Sequence, residues 1–188
     1  MANQTQRPDT ALHNTSHLMQ YHDLIESIVA AMDARDAYTA KHSDRVADMV
    51  LVLATALDLS EDETTLLHMA AHLHDIGKIA VPDSVLRKAG PLTSPEWEEM
   101  RRHPVTGYEI LRKVDDFKEI AVLVRHHHER WDGRGYPDGL RGADIPLGSR
   151  ILAVADSIDA MMSSRSYRPA MTLSLIHISE PTRHLRIS

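Results

Sequence analysis

The chain has no cysteine, which removes disulfides and thiolate metal ligation together and leaves His, Asp and Glu to hold any bound ion. No apolar run approaches the ~20 residues that a membrane-spanning helix needs, and the polar N-terminus has no signal-peptide core, so the expected compartment is the cytoplasm. Positive charge is also scarce. The 21 Lys and Arg against 27 Asp and Glu give a formal net charge of -6, which argues against sequence-independent binding of a nucleic-acid polymer. An anionic ligand would then depend on local cations or bound metal. Strand-like alternation is missing at any length and no internal repeat is visible, so the fold class is all-α. The length, 188 residues, suits one domain or one domain with a tail.

What is plentiful is histidine, 13 in all. The stretch His72-Leu73-His74-Asp75-Ile76-Gly77-Lys78 places an imidazole, a carboxylate and an ammonium where a helical pattern (Leu66, Leu67, Met69, Ala70, Leu73) is about to stop. Gly77 reads as the residue that tolerates the left-handed turn closing that helix, with His74 and Asp75 on its last turn. A neutral imidazole ligates Zn, Fe or Mn, a carboxylate can bridge two ions, and Lys78 can hold a phosphate oxygen. Alone, the pair fits a blander reading better: His74 hydrogen-bonded to a neighbour and Asp75 compensating Lys78.

Along the chain, residues 1–17 read as a polar lead-in or the end of a linker and 18–173 as the folded domain. Helical spacing runs from Leu18 to about Asp36. Thr39 can cap a second helix carrying His42, and Ser60 with Glu63 forms a capping box for the third. A short helix covers Asp83 to Lys88. Ser94 reads as the cap of a helix with Pro95 at its first position, reaching His103 where Pro104 perturbs it. Further helices cover Val105 to Lys113, Phe117 to His128, and the segment from Leu147 that carries Asp156. The Gly-rich stretch Glu129 to Gly139 is a loop. Residues 174–188 have no helical period and read as a non-native tail replacing the true C-terminus.

His42, His74, Asp75, His103, His127, His128 and Asp156 each sit on or at the end of an apolar helix, where an ionisable group is costly unless paired or metal-bound. The other histidines take the bland reading. His13, His17 and His22 lie in or near the lead-in, His68 and His72 have the spacing of a metal clamp but complete no second motif, and His126 faces solvent or its neighbours.

These residues, in this order, resemble an HD-GYP domain, a branch of the HD-domain metal-dependent phosphohydrolases. The resemblance covers about residues 20–172. It rests on His42-Ser43-Asp44-Arg45-Val46, His74-Asp75-Ile76-Gly77-Lys78, His103-Pro104 with Gly107, His127-His128-Glu129-Arg130-Trp131-Asp132-Gly133-Arg134-Gly135-Tyr136-Pro137, Ile151 to Asp156, and Arg165 to Arg168. It implies an HD-domain helical bundle and a cytoplasmic bimetallic phosphodiesterase that opens cyclic di-GMP to linear pGpG, or on to GMP. The two divalent ions are usually iron, sometimes manganese. By resemblance, His42, His74, Asp75 and Asp156 hold one ion, and Asp75, His103, His127 and His128 the other. Lys78 holds a phosphate oxygen or assists the leaving alkoxide, Arg165 and Arg168 grip the second phosphate, and Tyr136 is a candidate for stacking on guanine. The implied partners are an upstream sensory domain and diguanylate cyclase (GGDEF) domains.

Two departures stand out. Tyr38 occupies the position where some family members hold a third metal with glutamate, so two metals are expected, and the family's helices beyond Arg168 look truncated. The competing readings are a phosphohydrolase acting on another cyclic dinucleotide or nucleotide, and a noncatalytic module that binds diguanylate cyclase domains.

Overall fold

Burial around the C-terminal half of one helix organises the fold. In the computed structural model, which describes residues 20–35 and 41–162, helix α3 (Glu61–Leu73) packs against α1 (His22–Arg35), α2 (His42–Ala56), α7 (Lys118–His126) and α8 (Leu147–Met162). Its small residues Ala70 and Ala71 allow that close approach, and Leu67, Met69 and Leu73 fill the space between the helices. Val46 and Val50 of α2, Ile120 and Val124 of α7, and Leu152 and Ala155 of α8 complete an aliphatic core. Each large aliphatic side chain removed from water there contributes about 1.5–3 kcal/mol. Helices α4 (Asp83–Leu86), α5 (Ser94–Met100) and α6 (His103–Leu111) follow a 3-10 turn over Ile76–Ala80, and α6 lies against both that turn and α7. No strand occurs among the described residues, in keeping with the all-α class, and no helix there is long and apolar enough to cross a membrane.

Several local expectations hold. The Ser60 box is present: Ser60 N–H donates to Glu63 Oε2 at 2.9 Å, and Glu63 N–H donates to Ser60 Oγ at 3.2 Å. Others are corrected. The cap of α5 is Thr93, whose N–H donates to Glu96 Oε2 at 2.6 Å, so Ser94 is the first helical residue and Pro95 the second. The helix does not run on to His103. It stops at Met100, and Pro104 sits in the first turn of the new helix α6, where its missing N–H costs nothing. Helix α7 spans Lys118–His126, ending before His127. Tyr38, Thr39, Arg165, Arg168, the lead-in and the proposed tail lie outside the described residues.

Gly77 has a different reason from the one its position suggests. The glycines in the left-handed region are Gly133, Gly139 and Gly142, while Gly77 lies inside the 3-10 turn. A Cβ there would overlap the carbonyl oxygen of His103 and sit 2.6 Å from the Gly107 nitrogen. The glycine lets the turn carrying Asp75 press directly onto the backbone of α6, which brings His103 to Asp75. By contrast a Cβ at Gly90 would meet nothing within 4 Å. Gly77→Ala should therefore cost about 1–3 kcal/mol or more through forced backbone displacement. That lowers the thermal midpoint by roughly 3–10 °C for a chain of this size. Gly90→Ala should leave it unchanged or slightly raised, and equal midpoints for the two variants would contradict the close-approach explanation.

Candidate metal centre

Helix ends, rather than helix faces, present most of the histidines. His74 caps the C-terminus of α3, His103 opens α6 just after α5, and His127 caps α7. Each turns its Nδ1 back onto a carbonyl three residues earlier: His74 to Ala71 O at 2.6 Å, His103 to Met100 O at 2.7 Å, and His127 to Val124 O at 2.6 Å. A carbonyl can only accept, so these contacts assign the proton to Nδ1 and aim Nε2 inward. The helix termini thereby satisfy carbonyls that would otherwise be orphaned and orient three ligand-capable nitrogens.

Asp75 stands between those nitrogens, almost fully buried. Its Oδ1 lies 3.4 Å from His103 Nε2, while Oδ2 lies 3.4 Å from His74 Nε2 and 3.9 Å from His42 Nε2. Lys78 Nζ donates to Oδ2 at 2.6 Å. On one side, His42 Nε2 is 3.3 Å from Asp156 Oδ1. On the other, the His128 ring lies 4.0 Å from that of His127 and 5.0 Å from that of His103, centroid to centroid. Two groups emerge, each with its ligand atoms within 4.8 Å of one another: His42, His74 and Asp75; and His103, His127 and His128. All seven residues singled out along the chain meet here.

The electrostatics divide the cluster in the same way. Burial alone would raise the carboxyls of Asp75 and Asp156, but Lys78 and the imidazoles hold Asp75 well below the carboxylate range, and the His42 hydrogen bond with its neighbours does so for Asp156. Burial, reinforced by His128, pushes His103 down to about 3, and burial pushes His128 down to about 4 and His127 well below its ordinary value. His42 goes the other way: burial opposes its charge, yet the hydrogen bonds to Asp156 and Asp159 raise it to about 9.

The neutral half carries the informative contact. His103 Nε2 and His127 Nε2 face each other at 3.4 Å with both protons committed to Nδ1, so two bare lone pairs point into one space. Buried His74 Nε2 likewise lacks a hydrogen-bond partner. Such an arrangement is unfavourable unless a cation accepts the lone pairs. Imidazoles and carboxylates without thiolates are the donor set of Zn, Fe and Mn, so the residues fit divalent transition ions.

Asp159 was not singled out from the sequence, although it lies one helical turn beyond Asp156. It accepts from His42 Nδ1 at 2.7 Å and from Arg45 Nε at 2.6 Å, so it fixes the His42 ring in the way the carbonyls fix the other three. Glu129 was missed too: buried under the loop, it accepts from the N–H groups of Asp138 at 2.7 Å and Gly139 at 3.0 Å. Of the two places expected for His126, facing solvent or packed beside its neighbours, it takes the second and holds this loop, its Nε2 being 3.0 Å from Asp138 Oδ2. The loop places Tyr136 beside the centre, its ring 4.9 Å from His128 and under the Arg101 guanidinium at 5.4 Å. His22, His68 and His72, set aside in the sequence reading, also converge into a group of their own. A cavity of about 320 Å³ opens beside Asp75 and Lys78, with Ile28, Val29 and Met32 of α1 in its wall.

Residues 22–175 match the HD domain. The chain is 46% identical over 153 residues to the cyclic di-GMP phosphodiesterase response regulator RpfG of Xanthomonas campestris, covering 80% of this chain and 40% of that protein. It is 43% identical over 155 residues to the 3'3'-cGAMP-specific phosphodiesterase 2 of Vibrio cholerae, covering 80% and 29%. Against the cyclic di-GMP phosphodiesterase of Thermotoga maritima it is 41% identical over 148 residues, covering 78% and 40%. The chain thus spans well under half the length of these relatives.

The raised pKa of His42 has a measurable consequence, because its proton competes with a cation for Nε2. Divalent-ion affinity should strengthen by up to tenfold per pH unit as pH rises toward about 9, then level off. Asp159→Asn should weaken affinity about 10–100-fold and move that levelling to lower pH. Titration calorimetry across pH reads both effects, and pH-independent affinity in the unsubstituted protein would contradict the assignment of charge to His42.

Proposed function

The chain belongs to the HD-domain family, and from that membership we propose that it is an HD-GYP phosphodiesterase that hydrolyses a cyclic dinucleotide, cyclic di-GMP first among them. The observation that carries the reading is the division of Asp75: one carboxylate oxygen faces His103 and the other faces His74. On this reading His42, His74 and Asp156 with Asp75 hold one divalent ion, and His103, His127 and His128 with Asp75 hold the second. Iron is the first candidate and manganese the alternative. Two such ions, when bound, supply charge neutralisation at a phosphate and acidify a shared water toward a pKa near ~7.

The protein's own groups do the rest. Water oxygen attacks phosphorus in line, the bond from phosphorus to the opposite 3′-oxygen breaks, and that oxygen takes a proton, leaving a linear dinucleotide with a 5′-phosphate. Lys78, the ammonium beside Asp75, would hold a nonbridging phosphate oxygen or protonate the leaving alkoxide. The cavity beside Asp75 and Lys78 would give a nucleobase an apolar wall of Ile28, Val29 and Met32. Tyr136, its ring 4.9 Å from that of His128, would stack on a guanine. Arg165 and Arg168 would receive the second phosphate, their forked guanidinium suiting that anion.

A second substrate reading is 3'3'-cGAMP, favoured by the 43% identity to a phosphodiesterase specific for it. The two substrates share a ring of two phosphodiesters and differ in one base. The exposed Trp131 on the loop that carries Tyr136 supports a further role for that loop as a docking surface for diguanylate cyclase domains or a sensory partner in the cytoplasm.

The test is turnover of both dinucleotides by anaerobically purified protein loaded with ferrous iron or manganese, with products separated by chromatography. Linear dinucleotide or GMP should appear, and Asp75→Ala should abolish turnover and lower metal content together. Retained turnover in that variant, or none from a loaded unsubstituted chain with either substrate, would overturn the reading.

A further inference from the structure

Between α3 and the start of α1 lies a second set of imidazoles, whose His72 also lines the cavity beside Asp75 and Lys78. His68 and His72 are four residues apart, one turn of helix, and their rings meet edge to face with centroids 4.7 Å apart. His22, the first residue of α1, completes the group. Its ring stacks parallel to His68 at 6.0 Å and edge-on to His72 at 5.7 Å. One nitrogen from each of the three lies within 4.8 Å of the other two. His72 is two residues from His74, about 200° around an ideal helix axis, so the two rings leave the end of α3 in different directions even though His72 and Asp75 line one cavity.

Two details separate this group from ordinary packed histidines. The buried Nδ1 atoms of both His68 and His72 have no hydrogen-bond partner, and His72 is only 7% exposed. An unmade hydrogen bond on a buried polar atom is costly, and two of them on adjacent turns of one helix call for a common partner. Carboxylates ring the same spot: Asp44 Oδ1 is 3.7 Å from His72 Nδ1, and Glu26 Oε1 is 3.6 Å from His22 Nδ1. Unpartnered imidazole nitrogens with anionic surroundings suit a cation that prefers nitrogen. Tetrahedral Zn²⁺, with Zn–N near 2.0–2.1 Å, places its ligands about 3.3 Å apart, a contraction that side-chain rotation can supply.

We propose that His22, His68 and His72 form a second metal site that binds Zn²⁺ through three imidazoles, with a carboxylate or water in the fourth position, and pins the start of α1 to α3. The site is independent of the phosphodiesterase reading. It would add to what holds α1, which reaches from His22 to Arg35, on the bundle: Ile25 and Val29 are buried in the core, and at the far end Arg35 donates to the carbonyls of Lys78 at 3.0 Å, Ile79 at 2.8 Å and Val81 at 2.6 Å. At the near end Tyr21 donates to Asp116 Oδ2 at 3.1 Å and packs edge-on against Phe117, and the imidazole site would add a direct tie from α1 to α3.

The full chain, stripped of metal by chelation and dialysed against low-micromolar Zn²⁺, should carry one more ion than His22→Gln and one more than His68→Gln, counted by mass spectrometry. Neither residue belongs to the Asp75 cluster, so His127→Gln should lose its ion separately and additively. Saturating Zn²⁺ should also raise the thermal midpoint by roughly 5–10 °C more in the unsubstituted chain than in His22→Gln. Should a variant fold poorly, the unsubstituted protein still decides the matter. Carbethoxylation of His22, mapped by peptide, should slow at least tenfold when Zn²⁺ is present. Equal ion counts in the three chains, or an unprotected His22, would overturn the site.

Discussion

A buried carboxylate without a partner is among the most costly features a fold can carry, and Asp75 is surrounded accordingly. Lys78 touches it directly, and His42, His74 and His103 stand within 3.9 Å. The rest of the structure can be derived from this need. Helix α3 delivers Asp75 just past its C-terminus, α6 delivers His103 because Gly77 lets the two backbones touch, and α2 and α8 deliver His42 and Asp156 from the other side. One ammonium offsets one charge; the facing lone pairs of His103 and His127 need something more. That mismatch between donors and available protons is the physical argument for divalent ions here.

Precision in the centre comes from backbone rather than from a web of side chains. Three histidines spend Nδ1 on the carbonyls of their own helix ends, and a fourth, His42, spends it on Asp159. A ring tied three residues back along its own chain loses few alternatives on folding, so each nitrogen is aimed before any ligand arrives. The loop from Glu129 to Gly139 follows the same rule. Asp138 takes both Arg125 and His126 while Glu129 holds two backbone N–H groups, which leaves Tyr136 fixed beside His128.

The helices and the seven clustered residues were legible in the sequence because apolar periodicity marks the helices, and an ionisable residue at the end of an apolar helix conflicts with that pattern unless it is used. Asp159 was not legible: an acid one turn past Asp156 looks like any solvated position, and only the packing of α8 on α2 puts it behind His42. His22 was missed for a similar reason, since its partners lie in α3 and sequence spacing holds no trace of that contact. Gly77 was recognised as needed but for the wrong cause, because a glycine required by a neighbouring backbone looks the same in sequence as one required by a left-handed turn. The break between α5 and α6 was likewise displaced, as Pro104 can either end one helix or begin the next.

The central claim is that one carboxylate organises two ions, and anomalous diffraction from crystals soaked in manganese tests it most directly. The account predicts two peaks flanking Asp75, one beside His42, His74 and Asp156 and the other beside His103, His127 and His128. A single peak, or two peaks of which neither lies next to Asp75, would contradict it.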